Sequence, residues 1–128
     1  MEAIRQGDIP GVQLRRRQAL PLACEEAWAW LTEPERLERW LPAAAGERRR
    51  TLETDPPHRV VLAWEETAWP APTRVTLQLH SAAAGCELDV LHQGFERLPL
   101  STCLTVWEAY RRRWREALAR LLAVVAAG

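Results

Sequence analysis

Residues 104–125 read Leu-Thr-Val-Trp-Glu-Ala-Tyr-Arg-Arg-Arg-Trp-Arg-Glu-Ala-Leu-Ala-Arg-Leu-Leu-Ala-Val-Val, and the spacing of their apolar side chains decides the fold. Trp107, Trp114, Leu118, Leu121 and Val125 recur at the helical period, and Tyr110, Ala117 and Leu122 widen the stripe. Arg111, Arg112, Arg115 and Arg120 fall mostly off it. No Gly or Pro interrupts the run, which is rich in good helix formers. Thr105 followed by Glu108 reads as a capping box, with Ser101 as an earlier alternative. From Trp107 to Val125 such a helix spans about 28 Å. Two tryptophans on one face require a large apolar partner, which the upstream chain is expected to build.

The 128 residues suit one domain over 1–128, with 1–10 as an N-terminal tail. No apolar run approaches the ~20 residues of a membrane span, so no membrane insertion is expected. Glu2, Arg5 and Asp8 stand where a secretory signal would be apolar, which makes a cytoplasmic location the expectation. A net charge of zero supplies no global attraction to nucleic acid or anionic lipid. All seventeen basic residues are Arg, with no Lys and no Asn, a composition read as the codon bias of a GC-rich genome. Cys24, Cys86 and Cys103 are odd in number and form no C-x-x-C pair. They are expected as small buried hydrophobes, not as a disulfide framework or zinc knuckle.

Taken in order, Gly11 to Leu22 reads as a first strand, with Val12, Leu14, Arg16, Gln18, Leu20 and Leu22 on one parity. Cys24 to Leu31 reads as a short helix burying Ala27, Trp28 and Leu31. Thr32-Glu-Pro-Glu35 caps and opens a second helix, which Pro42 stops. Glu47 to Thr54 is a short strand, Asp55-Pro56-Pro57 a turn, and His58 to Glu65 a further strand. In Thr73 to Ser81, Val75, Leu77 and Leu79 alternate with Arg74, Thr76, Gln78 and His80. In Cys86 to His92, Leu88, Val90 and His92 alternate with Glu87 and Asp89. Ala82-Ala-Ala-Gly85 joins these two strands. The fold class is therefore α+β: an antiparallel sheet carrying the last helix on one face, with the other face wet.

Four segments then line up with one family. Ala27-Trp28-x-x-Leu31-Thr32-Glu33-Pro34-Glu35-x-Leu37-x-x-Trp40 resembles the helix pair of START-like (SRPBCC) proteins. Within them it is most similar to relatives of the activator of the heat-shock-protein-90 ATPase, the AHSA-like branch. Pro56-Pro57-x-x-Val60-Val61-x-x-Trp64, Gly85-Cys86-x-Leu88-x-Val90-x-His92-x-Gly94-Phe95 and Trp114-x-x-Ala117-Leu118-x-x-Leu121 resemble its later motifs in order. The resemblance covers roughly residues 12 to 125 and implies a helix grip, a curved sheet of about 5–6 strands around the long C-terminal helix. Only Leu41 to Asp55 lie where the family has a glycine-rich hairpin, so one or two of its six strands are expected short or missing.

The same resemblance implies binding of a small hydrophobic or amphipathic ligand between sheet and helix, without catalysis or cofactor. Trp64, Leu77, Leu79, Leu88, Val90, Trp107, Tyr110 and Trp114 should face that space, as pocket lining or as solid core. His92 shares their parity, either as a core histidine or as a ligand or acid–base group. Arg16 and Gln18 on the first strand are candidates to meet a ligand carboxylate. His58, His80 and His92 have no metal-type spacing, and Arg111 to Arg113 read as a solvated face rather than a nucleic-acid contact. Two other function classes stand beside ligand binding. One is a protein-interaction or co-chaperone module in the stress response, with a filled core and a protein partner or homodimer. The other is a cyclase- or hydrolase-like enzyme using His92.

Overall fold

The computed structural model describes residues 7–127. Residues 1–6 of the expected tail lie outside the described residues. The chain runs β1 (Gln13–Leu20), α1 (Cys24–Thr32), α2 (Pro34–Trp40), β2 (Glu47–Asp55), β3 (Arg59–Glu66), β4 (Thr73–Ala82) and β5 (Gly85–Gln93). A 3-10 turn over Phe95–Arg97 then leads into α3 (Leu100–Ala126). All neighbours in the sheet are antiparallel, in the order β1-β5-β4-β3-β2. One strand, β2, occupies the shortened stretch between Trp40 and Pro56, so the sheet has five strands. The architecture is the expected α+β helix grip.

The inner face of the sheet is set by strand alternation. Leu14 and Leu20 on β1, Leu88 and Val90 on β5, Val75, Leu77 and Leu79 on β4, and Val60, Leu62 and Trp64 on β3 join one buried cluster. Trp107, Tyr110, Trp114, Ala117, Leu118 and Leu121 of α3 complete it. Leu122, expected to widen the stripe, is exposed. At 27 residues α3 is about 40 Å long and starts earlier than its apolar stripe. Thr105 and Glu108 lie inside it, and Pro99 is the N-cap with no side-chain capping bond. The capping-box expectation fails because the N-cap lies six residues before Thr105, at Pro99, whose carbonyl accepts from the N–H groups of Thr102 and Cys103.

Helices α1 and α2 dock on α3 through Trp40, whose Nε1 donates to the Trp30 carbonyl at 2.9 Å and whose own carbonyl accepts from Arg120 Nε at 3.2 Å. Trp30, not Trp28, is the buried tryptophan of α1. Thr32 does not cap α2; its hydroxyl donates back to the Trp28 carbonyl at 2.8 Å, inside α1. The outer face is less wet than alternation implied: Val61, Ala63, Thr76 and Asp89 are buried there. Asp89 is gripped by Arg15 at 2.9 Å.

Cys24 and Cys86 are joined as a disulfide, with Cα atoms 5.1 Å apart, which corrects the expectation of three unpaired cysteines. The sequence hides the pair because 62 residues separate its members. The register Leu20↔Cys86 and the short Pro21–Ala23 link bring Cys24 over β5. Gly85 opens β5 at φ 137°, and a Cβ there would lie 2.6 Å from the Leu22 carbonyl oxygen, so the crossing is closed to any other residue. Among the described residues no helix is long and apolar enough to cross a membrane.

Candidate functional site

The space between sheet and α3 is occupied by rings that touch one another. Trp64 lies 5.8 Å from Trp114 and 5.8 Å from His92, centroid to centroid. His92 lies 4.5 Å from Phe95 and 5.0 Å edge-to-face from Tyr110. Such pairs add attraction beyond the area they bury. His92 is fully buried and bonded through both nitrogens. Nδ1 receives the Trp114 indole N–H at 3.0 Å, and Nε2 lies 2.7 Å from Thr73 Oγ1. An indole nitrogen only donates, so Nδ1 is the acceptor and Nε2 carries the proton. Nε2–H then donates to Thr73, whose hydroxyl donates to the Trp64 carbonyl at 2.8 Å. Burial, with the charge of Arg113 adding to it, lowers the His92 pKa to about 3. The ring is neutral at physiological pH and has no nitrogen left for a substrate.

A second buried network closes the β2–β3 end of this space. Tyr110 accepts from Trp64 Nε1 at 2.9 Å and from Arg113 at 3.2 Å, and donates to Glu66 at 2.6 Å. Arg113 also pairs with Glu47 and donates to the Pro42 carbonyl at 3.0 Å. Arg49 Nε donates to the other Glu47 oxygen at 2.6 Å, and its guanidinium stacks 4.2 Å over Trp64. Burial, reinforced by the bond to Glu66, holds the Tyr110 hydroxyl above its ordinary pKa. Burial alone would lower Arg113, but Glu47 more than offsets it and holds the guanidinium above its usual value. Two carboxylates, two guanidiniums and a phenol thus share one network, in which Arg49 Nη2 lies 2.5 Å from Glu47 without hydrogen-bond geometry. Because the Glu47 side chain is fully buried and that of Arg113 only 22% exposed, Glu47→Ala strands positive charge in a dry place. A loss of about 3 kcal/mol is expected in chemical denaturation, the low end for a broken buried pair; a loss below about 1 kcal/mol would mean that water already screens the cluster.

The structure brings Trp64, Leu77, Leu79, Leu88, Val90, His92, Trp107, Tyr110 and Trp114 together, all buried. Trp107 is further tied to β1, its Nε1 donating to the Gln13 carbonyl at 2.9 Å. Arg16 and Gln18 do not join them. Arg16 is buried against Asp8, 2.7 Å away, and so has its charge matched within the chain. Gln18 donates to the Ala19 carbonyl beside it at 2.9 Å. The residues missed from sequence are Glu47, Arg49, Glu66, Thr73, Phe95 and Arg113. Of the triplet Arg111 to Arg113, Arg113 turns inward and the Arg111 side chain, 11% exposed, lies over the Trp107 ring, so the expected solvated face holds only at Arg112. Among the described residues no group of three His, Cys, Asp or Glu is placed to hold a metal.

Two clefts lie away from these rings. A cleft of about 550 Å³ on the outer side of β2 and β3 is lined by Arg48, Arg49, Arg50, Ala63, Glu65 and Pro72. Another, of about 500 Å³, lies where Leu22, Trp30 and Arg36 meet Val125 near the end of α3. Neither is lined by the interior rings.

Known folds place this geometry. The chain resembles a Mesorhizobium loti protein, MLL2253, with a TM-score of 0.76 at 17% identity, over 90% of this chain and 97% of that one. A Rhodobacter sphaeroides protein matches with 0.74 at 23% identity, over 94% and 97%. An Hsp90 activator from Plasmodium falciparum, PFC0360w, matches with 0.72 at 16% identity, over 90% and 96%. At these identities the likeness is one of fold. No curated protein matches the chain in sequence. The profile of one family, described as activator of Hsp90 ATPase homolog 1-like protein, matches residues 43–125, which hold β2 to β5 and nearly all of α3. The chain belongs to the activator of Hsp90 ATPase homolog 1-like family.

Proposed function

We propose that this chain is a protein-binding module that works through its surface, and that its partner is a chaperone of the Hsp90 type. The observation that supports this reading is the ring packing: Trp64, His92, Phe95, Tyr110 and Trp114 lie in contact with one another between sheet and helix. Opening it would separate ring contacts, break the Trp114–His92 bond and expose the Glu47–Arg113 pair. Family membership and the shared fold of the Plasmodium Hsp90 activator support this choice of partner class. The neutral, doubly bonded His92 argues against an acid–base role, which needs a group with a pKa near the working pH.

The test is a steady-state ATPase assay on a bacterial Hsp90, titrated with the full chain, beside tryptophan fluorescence with a panel of fatty acids, sterols and aromatic polyketides. The expected result is a saturable rise in ATPase rate and flat fluorescence. A saturable fluorescence change with one panel member and an unchanged ATPase rate would replace this reading with small-ligand binding among the same rings.

A further inference from the structure

Strand β2 is an edge of the sheet, with no strand beyond it among the described residues. It is nine residues long and almost wholly exposed, and Leu52 at its middle is 45% exposed. An edge of this length offers a row of unpaired backbone donors and acceptors, for which a partner strand is the natural occupant.

Which strand fits is set by the faces. The pairs Arg48↔Glu65, Arg50↔Ala63, Glu53↔Val61 and Asp55↔Arg59 put all four β2 residues on the outer face, because Val60, Leu62 and Trp64 point into the core. The register shift between Thr51 and Glu53 makes this so. Without that bulge, residues 48 and 50 would share a face with 52 and 54. The outer face of the edge therefore reads basic, basic, acidic, acidic along the chain.

That order is complementary to itself when reversed. An antiparallel second copy, related by a twofold axis between Thr51 and Leu52, sets Arg48 opposite Asp55 and Arg50 opposite Glu53. The symmetry gives each pair twice, four in all. This register places all four outer residues of one copy opposite outer residues of the other, as antiparallel pairing requires. It also sets each exposed Leu52 at the axis, opposite Thr51 of the other copy. Within one chain these charges have only looser engagements: Glu53 lies 3.9 Å from Arg59 and from Arg74, and Arg48 lies 3.4 Å from Glu65, with most of these side chains well exposed.

We infer that the chain forms a homodimer by antiparallel pairing of β2 with β2 of a second copy, joining two five-stranded sheets into one of ten strands. The inference is independent of the chaperone reading, since it concerns a different surface and a different partner.

Sedimentation equilibrium tests it with the full chain and two charge variants, R48E/R50E and E53R/D55R. Wild type is expected to dimerise reversibly. Each variant alone turns four attractions into four repulsions, and its dissociation constant should rise at least about tenfold. Mixing the two variants sets an all-acidic edge against an all-basic one, and the dimer should return as a 1:1 heterodimer. Because the heterodimer can form only from folded strands, its recovery also excludes misfolding as the cause of the single-variant losses. A wild type that stays monomeric at several hundred micromolar, or a dimer indifferent to both variants, would overturn the inference. Failure of the mixed pair to recover, with both variants showing the wild-type circular dichroism spectrum, would overturn it equally.

Discussion

Lowering the pH from 7 to 3 is expected to remove about 4 kcal/mol of folding stability through His92 alone. The sign follows from where the proton can go. The unfolded chain takes up a proton near pH 6.5, the ordinary histidine value, whereas the buried ring resists it down to about 3. Between those limits the unfolded state binds more protons, so stability falls as pH falls; above 6.5 both states are neutral and the contribution is fully present. The slope is about 1.4 kcal/mol per pH unit in the middle of the window. Denaturant titrations at a series of pH values would measure it. In His92→Gln the amide can still accept from Trp114 and donate to Thr73, but it does not titrate, so the slope between pH 6 and 4 should flatten. An equally steep slope in that variant would assign the acid sensitivity to the carboxylates instead.

Period-based features were legible in the sequence, and those that depend on register were not. The α3 stripe and the β4–β5 alternation each involve residues close in the chain, so spacing alone places Trp107, Trp114, Leu77 and Val90 on buried faces. The family motifs add the order of elements. Arg113 was hidden because three consecutive arginines look alike, although it stands one helical turn from Tyr110. Its inward turn is explained by Glu47, sixty-six residues away in sequence. Glu47 was hidden in turn by the β2 bulge, which changes parity midway and makes the strand resemble a polar loop. Glu66 and Thr73 were within reach, for each continues the inward parity of its own strand, after Trp64 and before Val75. Charge and hydroxyl chemistry argued for the wet side, and tertiary partners outweighed it.

This difference has a consequence for function. From sequence, the aromatic residues of α3 are equally readable as the wall of a pocket or as its filling. What separates the two is the polar partner of each ring: Trp64 N–H on Tyr110, Trp114 N–H on His92, and Trp107 N–H on the Gln13 carbonyl. A ring whose only polar atom is already bonded to the wall is fixed in place. Three such anchors along two turns of one helix make the grip a clamp on the sheet, as the proposed protein-binding reading requires.

Trp114→Ala should cost about 5 kcal/mol, the top of the range for truncating a buried tryptophan. Three losses coincide. The indole is 1% exposed, so its removal leaves a large cavity in a close-packed core. The contact with Trp64 at 5.8 Å disappears. His92 Nδ1 is left buried without a donor, which costs about 1–3 kcal/mol by itself. Trp114→Phe isolates the last of these, because it keeps a ring in the core and removes the N–H. A double-mutant cycle with His92→Leu then measures the bond: the penalty of Trp114→Phe should shrink by at least about 1 kcal/mol when the histidine is absent. Chemical denaturation of the four proteins at pH 7, where His92 is neutral, supplies the numbers. A coupling below about 0.5 kcal/mol, the scatter expected of independent sites, would mean that the Trp114–His92 bond does not hold the ring in place, and the case for a permanently closed interior would lose its strongest anchor.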